Sequence, residues 1–116
     1  MIRLPRAASW TVAILLAVVF VLIGASKLGT PSAMRWGARF ARWGYPAGTE
    51  RVVGVLEIVG GIGLLVPKGR RAAAAMLIAI MIGALLTHLF HGEGSRVIPP
   101  LILGALAALI TIDSRR

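Results

Sequence analysis

The sequence predicts an all-α integral membrane protein, a bundle of four transmembrane helices with a short amphipathic interfacial helix in the first loop. Composition is the first reason: of 116 residues, 58% are hydrophobic and 15% charged, and mean hydropathy is +0.87, far above a soluble domain. The second reason is that the apolar residues fall into blocks at about 10–28, 52–66, 72–90 and 97–112. The third is that these blocks lack the polar outer face that a helix of a soluble bundle turns to water. One domain over residues 1–116 accommodates all of them.

The first block follows "MIRLPRAASW", whose basic residues before an apolar run are shared with signal peptides. Its apolar part is long, no small-residue cleavage site closes it and more apolar blocks follow, so it is read as a span. The first loop, "GTPSAMRWGARFARWGYPAGTE", carries an amphipathic helix at about 32–43. Arg35, Arg39 and Arg42 share one face at i, i+4 and i+7, and Trp36, Phe40 and Trp43 repeat that spacing about 100° away. Thr30 or Ser32 is placed to cap its start, and Gly44 with Pro46 to end it. Arginines beside tryptophans suit the headgroup boundary, and a helix closing the outer mouth of the bundle fits the same pattern.

At 1.5 Å per residue the second and fourth blocks, roughly 15 or 16 residues, are short for a hydrocarbon core of about 30 Å, and they span it by snorkelling or local thinning. In the third block Ala75, Ala79 and Gly83 form a small-residue stripe suited to close helix packing. Pro99 and Pro100 open the fourth, where missing amide hydrogens cost little.

Four spans place both termini on one side, together with Arg3, Arg6, Lys68, Arg70, Arg71, Arg115 and Arg116. Arg35, Arg39, Arg42, Arg51 and Arg96 lie opposite; with the three loop-helix arginines set aside, the positive-inside rule puts the termini in the cytoplasm. The net charge of +9 falls mostly between apolar blocks, so the bilayer, and not nucleic acid, is the expected partner. The absence of cysteine excludes disulfides, thiol redox chemistry and cysteine-held metal centres.

Few ionisable groups lie within or beside the spans. Lys27 closes the first, His88 nearly closes the third, and Glu57 sits about six residues into the second from that same side, so the topology brings all three to one end. Small residues share their faces: Gly24 with Lys27, Gly54, Gly60 and Gly61 with Glu57, and Ala84 with His88. A charge in hydrocarbon needs a partner, and Lys27 is the natural one for Glu57, with His88 an alternative. The resulting ligand-binding or polar cluster is Lys27, Glu57 and His88, with Arg51 and Thr87 as near neighbours. "HLFHGEG" places His88 and His91 close to Glu93, too few ligands for a metal site, and i, i+3 histidines cannot take opposite faces of one haem. No Gly-rich phosphate loop, triad or carboxylate pair is present, so no catalytic residue is assigned.

The order "IGASKL", "WGYP", "GVLEIVGGIGLLVP" and "IGALLTHLF", from about Phe20 to the end of the fourth block, resembles the DoxX family of small four-helix bacterial membrane proteins. Its most specific parts are Lys27 with Leu28, Glu57 with Gly60 and Gly61, and Thr87 with His88. The resemblance implies a multi-pass protein of the bacterial inner membrane. It also implies an accessory or redox-associated subunit of a membrane complex, since the family takes its name from a subunit linked to thiosulfate:quinone oxidoreductase. Quinone is the cofactor so implied, a membrane-enzyme subunit or a second copy the partner, and the isolated chain is not expected to be an enzyme. A proton-coupled small-molecule transporter is the alternative. Small multidrug transporters share the helix number and an intramembrane glutamate, but theirs is in the first helix, whereas Glu57 is in the second.

Overall fold

The computed structural model describes residues 3–113, so Arg115 and Arg116 lie outside the described residues. Among these, the α-helices are α1 (Arg6–Ser26), α2 (Ser32–Arg42), α3 (Thr49–Gly63), α4 (Arg70–Phe90) and α5 (Ile98–Ile112), and there is no strand. Among the described residues three stretches are long and apolar enough to cross a membrane: Arg6–Ser26, Pro67–Phe90 and Gly94–Ile112. The last includes the short turn before α5, which lengthens a block that looked short in sequence. α3 has 15 residues and is shorter than these, while its outward side chains Val52, Val55, Val59 and Ile62 are exposed and apolar.

Local chemistry explains how the boundaries differ from expectation. α1 begins four residues early, directly after Pro5, whose carbonyl accepts from Ser9 N at 2.9 Å. α3 also begins early, after Gly48, whose φ of 94° lies in the left-handed region that glycine enters freely. It stops before the expected Val66 because Pro67 disfavours helical backbone in the residue ahead of it, and Val66 is extended (φ −102°, ψ 108°). α2 ends as expected at Gly44 (φ 91°), with Tyr45 N donating to Phe40 O at 3.0 Å. Neither Thr30 nor Ser32 caps its start. The Ser32 hydroxyl instead donates to Ser26 O at 2.6 Å and Gly29 O at 2.9 Å, tying α2 to the end of α1.

α1 packs on α3, α3 on α4, and α4 on α5, while α2 lies against α3. The apolar core, with Ala13, Leu16, Phe20, Leu64, Ala74, Leu77, Ala107 and Ile110, fills the half of the bundle nearer the termini. That end is tied by Arg70, whose Nε donates to Leu64 O at 2.6 Å while its guanidinium stacks 4.2 Å from the Trp10 ring centroid. Arg71 Nη2 donates to the Asp113 carbonyl, and Leu4 N to Asp113 Oδ1 at 3.1 Å.

The Ala75, Ala79 and Gly83 stripe does not pack within the chain. All three are exposed, and nothing lies within 4 Å of a Cβ placed on Gly83. α4 instead turns Ala73, Ala74, Leu77 and Met81 into the core, where Leu77 and Met81 supply the bulk.

Candidate functional site

The site begins with two glycines. A Cβ on Gly24 of α1 would stand 2.5 Å from the Gly54 carbonyl oxygen of α3, and one on Gly54 would stand 2.8 Å from that of Gly24. Only glycines allow the two backbones to touch here. Three residues on from these glycines are Lys27 and Glu57, and this approach brings them together. Lys27 Nζ donates to Glu57 Oε1 at 2.6 Å, with side chains only 5% and 1% exposed. A lone charge of either sign is costly in a membrane interior, and each member of the pair supplies the countercharge the other needs.

Beside this pair lies a cavity of about 600 Å³. Its floor is Lys27 and Glu57, with Val53 and Thr49 from α3 and Ile23 from α1. α4 supplies one wall through Ile80, Met81, Ala84, Thr87 and His88, and Pro99, Pro100 and Leu103 of α5 supply another. α2 and the turn after it form the roof through Trp36, Arg39, Phe40, Trp43 and Tyr45, and Arg96 stands at the rim.

The roof is bonded to the walls. Phe40, 8% exposed, is its centre, with the rings of Trp36, Trp43 and Tyr45 at 6.3, 5.3 and 5.5 Å. Trp36 Nε1 donates to Ser26 Oγ at 3.0 Å, while Lys27 Nζ and the Arg39 guanidinium lie 4.3 and 4.8 Å from the Trp36 ring centroid. Tyr45 and Thr87 share a hydroxyl hydrogen bond of 2.6 Å, and Thr87 Oγ1 also contacts Gly83 O at 2.8 Å. Trp43 meets the His88 ring edge-on at 5.4 Å.

His88 does not bond Glu57. Its Nδ1 lies 2.8 Å from Glu93 Oε1, and His91 Nδ1 lies 2.8 Å from Thr87 O, so the two histidines serve separate local contacts. The His88 hydrogen bond holds the Glu93 carboxyl below the usual carboxylate range; partial burial opposes this, and the Trp43 indole and the Arg96 charge add smaller contributions in the same direction as His88. The Trp43 Nε1–H lies enclosed without a hydrogen bond of normal geometry, so it acts on Glu93 only as a nearby dipole. Among the described residues no group of three His, Asp or Glu side chains is placed to hold a metal ion.

A model of the DoxX-like family matches residues 11–110. The chain belongs to the DoxX-like family. It is a membrane protein of that family with apolar helices, and searches of curated proteins and of solved structures return no match.

Of the residues that the sequence of this DoxX-like chain singled out, Lys27, Glu57, Thr87 and His88 all line the one cavity. Arg51 does not. It is exposed on the outer side of α3 with Val52, Val55 and Leu56, because six residues of helix turn it away from the face that carries Glu57. In α2, Arg35 and Arg42 point outward, whereas Trp36, Phe40 and Trp43, expected at the headgroup boundary, face the cavity, and Arg39 folds over Trp36 beside them. Tyr45 and Arg96 were missed as lining residues. Tyr45 stands in the "WGYP" turn that carried part of the family resemblance, the one signal able to point to it.

Proposed function

We propose that this DoxX-like protein is an accessory, redox-associated subunit of a bacterial inner-membrane complex, and that its cavity holds the head of a quinone. In this reading residues 1–116 form one membrane domain with α1, α3, α4 and α5 as its spans, α2 at the headgroup level and both termini in the cytoplasm. The supporting observation is the cavity, whose roof is aromatic, whose walls are aliphatic and whose floor is a buried ion pair. Pockets of roughly 300–1,000 Å³ lined by apolar and aromatic groups with a few convergent polar ones suit small ligands. Aromatic side chains stack on a quinone ring, Lys27, His88 and the Thr87–Tyr45 hydroxyls supply hydrogen bonds to its oxygens, and an isoprenoid tail leaves along the aliphatic wall. The transporter alternative draws no comparable support: the cavity lies at one end of the bundle, and packed Leu16, Phe20, Leu64 and Leu77 fill the other.

Native mass spectrometry of protein extracted gently from its own membrane, wild type beside Glu57→Gln, tests the proposal. A quinone bound to wild type and lost from the variant is the expected result. Wild type and variant that both lack a ligand but keep the same partner protein would leave an accessory subunit with a purely structural ion pair.

A further inference from the structure

Charge around the cavity is unbalanced. Its lining includes Lys27, Arg39 and Arg96, and Glu57 is the sole carboxylate among those lining residues. Glu57 is bonded to Lys27, and Glu93, which feels the Arg96 charge, is bonded to His88. Glu50 of α3 sits beside Gly37 of α2, with Oε2 3.5 Å from where a Cβ on Gly37 would stand, and does not line the cavity. Among the described residues neither Arg39 nor Arg96 has a carboxylate within salt-bridge distance. Arg39 is also held against the same indole as Lys27, so two cations converge on one ring, and of the two only Lys27 is bonded to a carboxylate. An indole face attracts both but neutralises neither, and charge interactions strengthen as water is excluded.

We infer that the cavity takes its ligand as an anion: an amphiphile whose negatively charged head lies between Arg39 and Arg96, above the Lys27–Glu57 pair, with an apolar body against α4 and α5. The inference rests on the binding-site reading above and narrows it. A quinone that carries an acidic ring hydroxyl would be held as its deprotonated anion, without change of oxidation state, in preference to a neutral quinone of the same shape. Arg39 and Arg96 approach from different elements, α2 and the turn before α5, so an anion between them also bridges roof and wall. A guanidinium presents paired N–H donors suited to this bridging.

Equilibrium binding to the full chain in phosphatidylcholine nanodiscs tests this, with affinities referred to probe concentration in the bilayer. The probes are a 2-hydroxy-3-alkyl-1,4-naphthoquinone, which is an anion at neutral pH, the neutral 2-methyl analogue with the same chain, and a long-chain carboxylate. The hydroxy compound is expected to bind about tenfold more tightly than the methyl compound, the increment of a charge-assisted over a neutral hydrogen bond. Arg39→Gln and, independently, Arg96→Gln bring that ratio towards one; Arg96 is exposed, so its replacement leaves the packing of the bundle unchanged. Equal affinity for the two quinones overturns the inference and leaves the quinone reading standing. Binding of the carboxylate without either quinone supports the anionic head and removes the quinone. Failure of all three probes to bind overturns both.

Discussion

At the residue scale Lys27 and Glu57 meet at 2.6 Å and are both almost fully buried. Removing one member of such a pair leaves the other charge unpaired, so Lys27→Met is expected to destabilise the bundle by about 3–5 kcal/mol in thermal or denaturant unfolding. Lys27→Met combined with Glu57→Leu is expected to recover most of that loss, since two apolar side chains replace two charges. A double variant as unstable as the single one would mean that the pair is not isolated from other polar groups. Glu93 provides a second test, at the cavity rim. Its carboxyl is held below the usual range mainly by His88, so its stabilising contribution is fully present above the ordinary carboxylate pKa and is lost as pH falls through the lowered value. Acidification through that window is expected to lower the amide protection factors, corrected for the intrinsic pH dependence of exchange, in the turn at Gly94–Arg96, and Glu93→Gln to leave them unchanged with pH. The pairing of Lys27 with Glu57 was readable in the sequence, because helix direction alone brings both to one end of the bundle. The His88–Glu93 bond was not, since it depends on how the chain turns after α4 ends.

At the element scale the contact between α1 and α3 sets the geometry of the floor. Gly24→Ala would place a Cβ 2.5 Å from the Gly54 carbonyl, forcing the helices apart. A cost of about 1–3 kcal/mol is expected, the range for overpacking, together with loss of ligand binding as Lys27 and Glu57 separate. Gly83→Ala is the matched control: its Cβ meets nothing within 4 Å, so stability is expected to stay the same or rise by up to about 1 kcal/mol in the same unfolding assay. The glycines beside Glu57 were legible as a packing face because they repeat at i±3 and i+4 from a residue that must point inward. Ala75, Ala79 and Gly83 carry the same small-residue pattern, yet Ala75 and Ala79 face outward and Gly83 borders the cavity, because spacing identifies a face without saying what covers it. α2 illustrates the same limit. Its helical wheel separates Arg35 and Arg42 from the aromatics but not Arg39, which folds over Trp36, and whether the aromatic face meets lipid or a cavity depends on the docking of α2 over the ends of α1 and α3, a tertiary contact with no local signal.

At the scale of the whole molecule the bundle is divided: a packed apolar core at the end nearer the termini and a roofed cavity at the other. Helical class, approximate helix positions and the end at which polar groups gather follow from hydropathy and connectivity, so they were legible. The cavity itself was not, since a volume bounded by residues of five helices depends on the relative tilt and rotation of all of them. The three tryptophans report on this division, with Trp36 and Trp43 lining the cavity and Trp10 stacked under Arg70 at the opposite end. The most direct test of the central claim is therefore tryptophan fluorescence of Trp10→Phe protein in nanodiscs, titrated with a short-chain quinone. Saturable quenching that weakens in Trp10→Phe/Glu57→Gln is the predicted result. Quenching that rises linearly with quinone in the bilayer and is unchanged by Glu57→Gln would contradict the account.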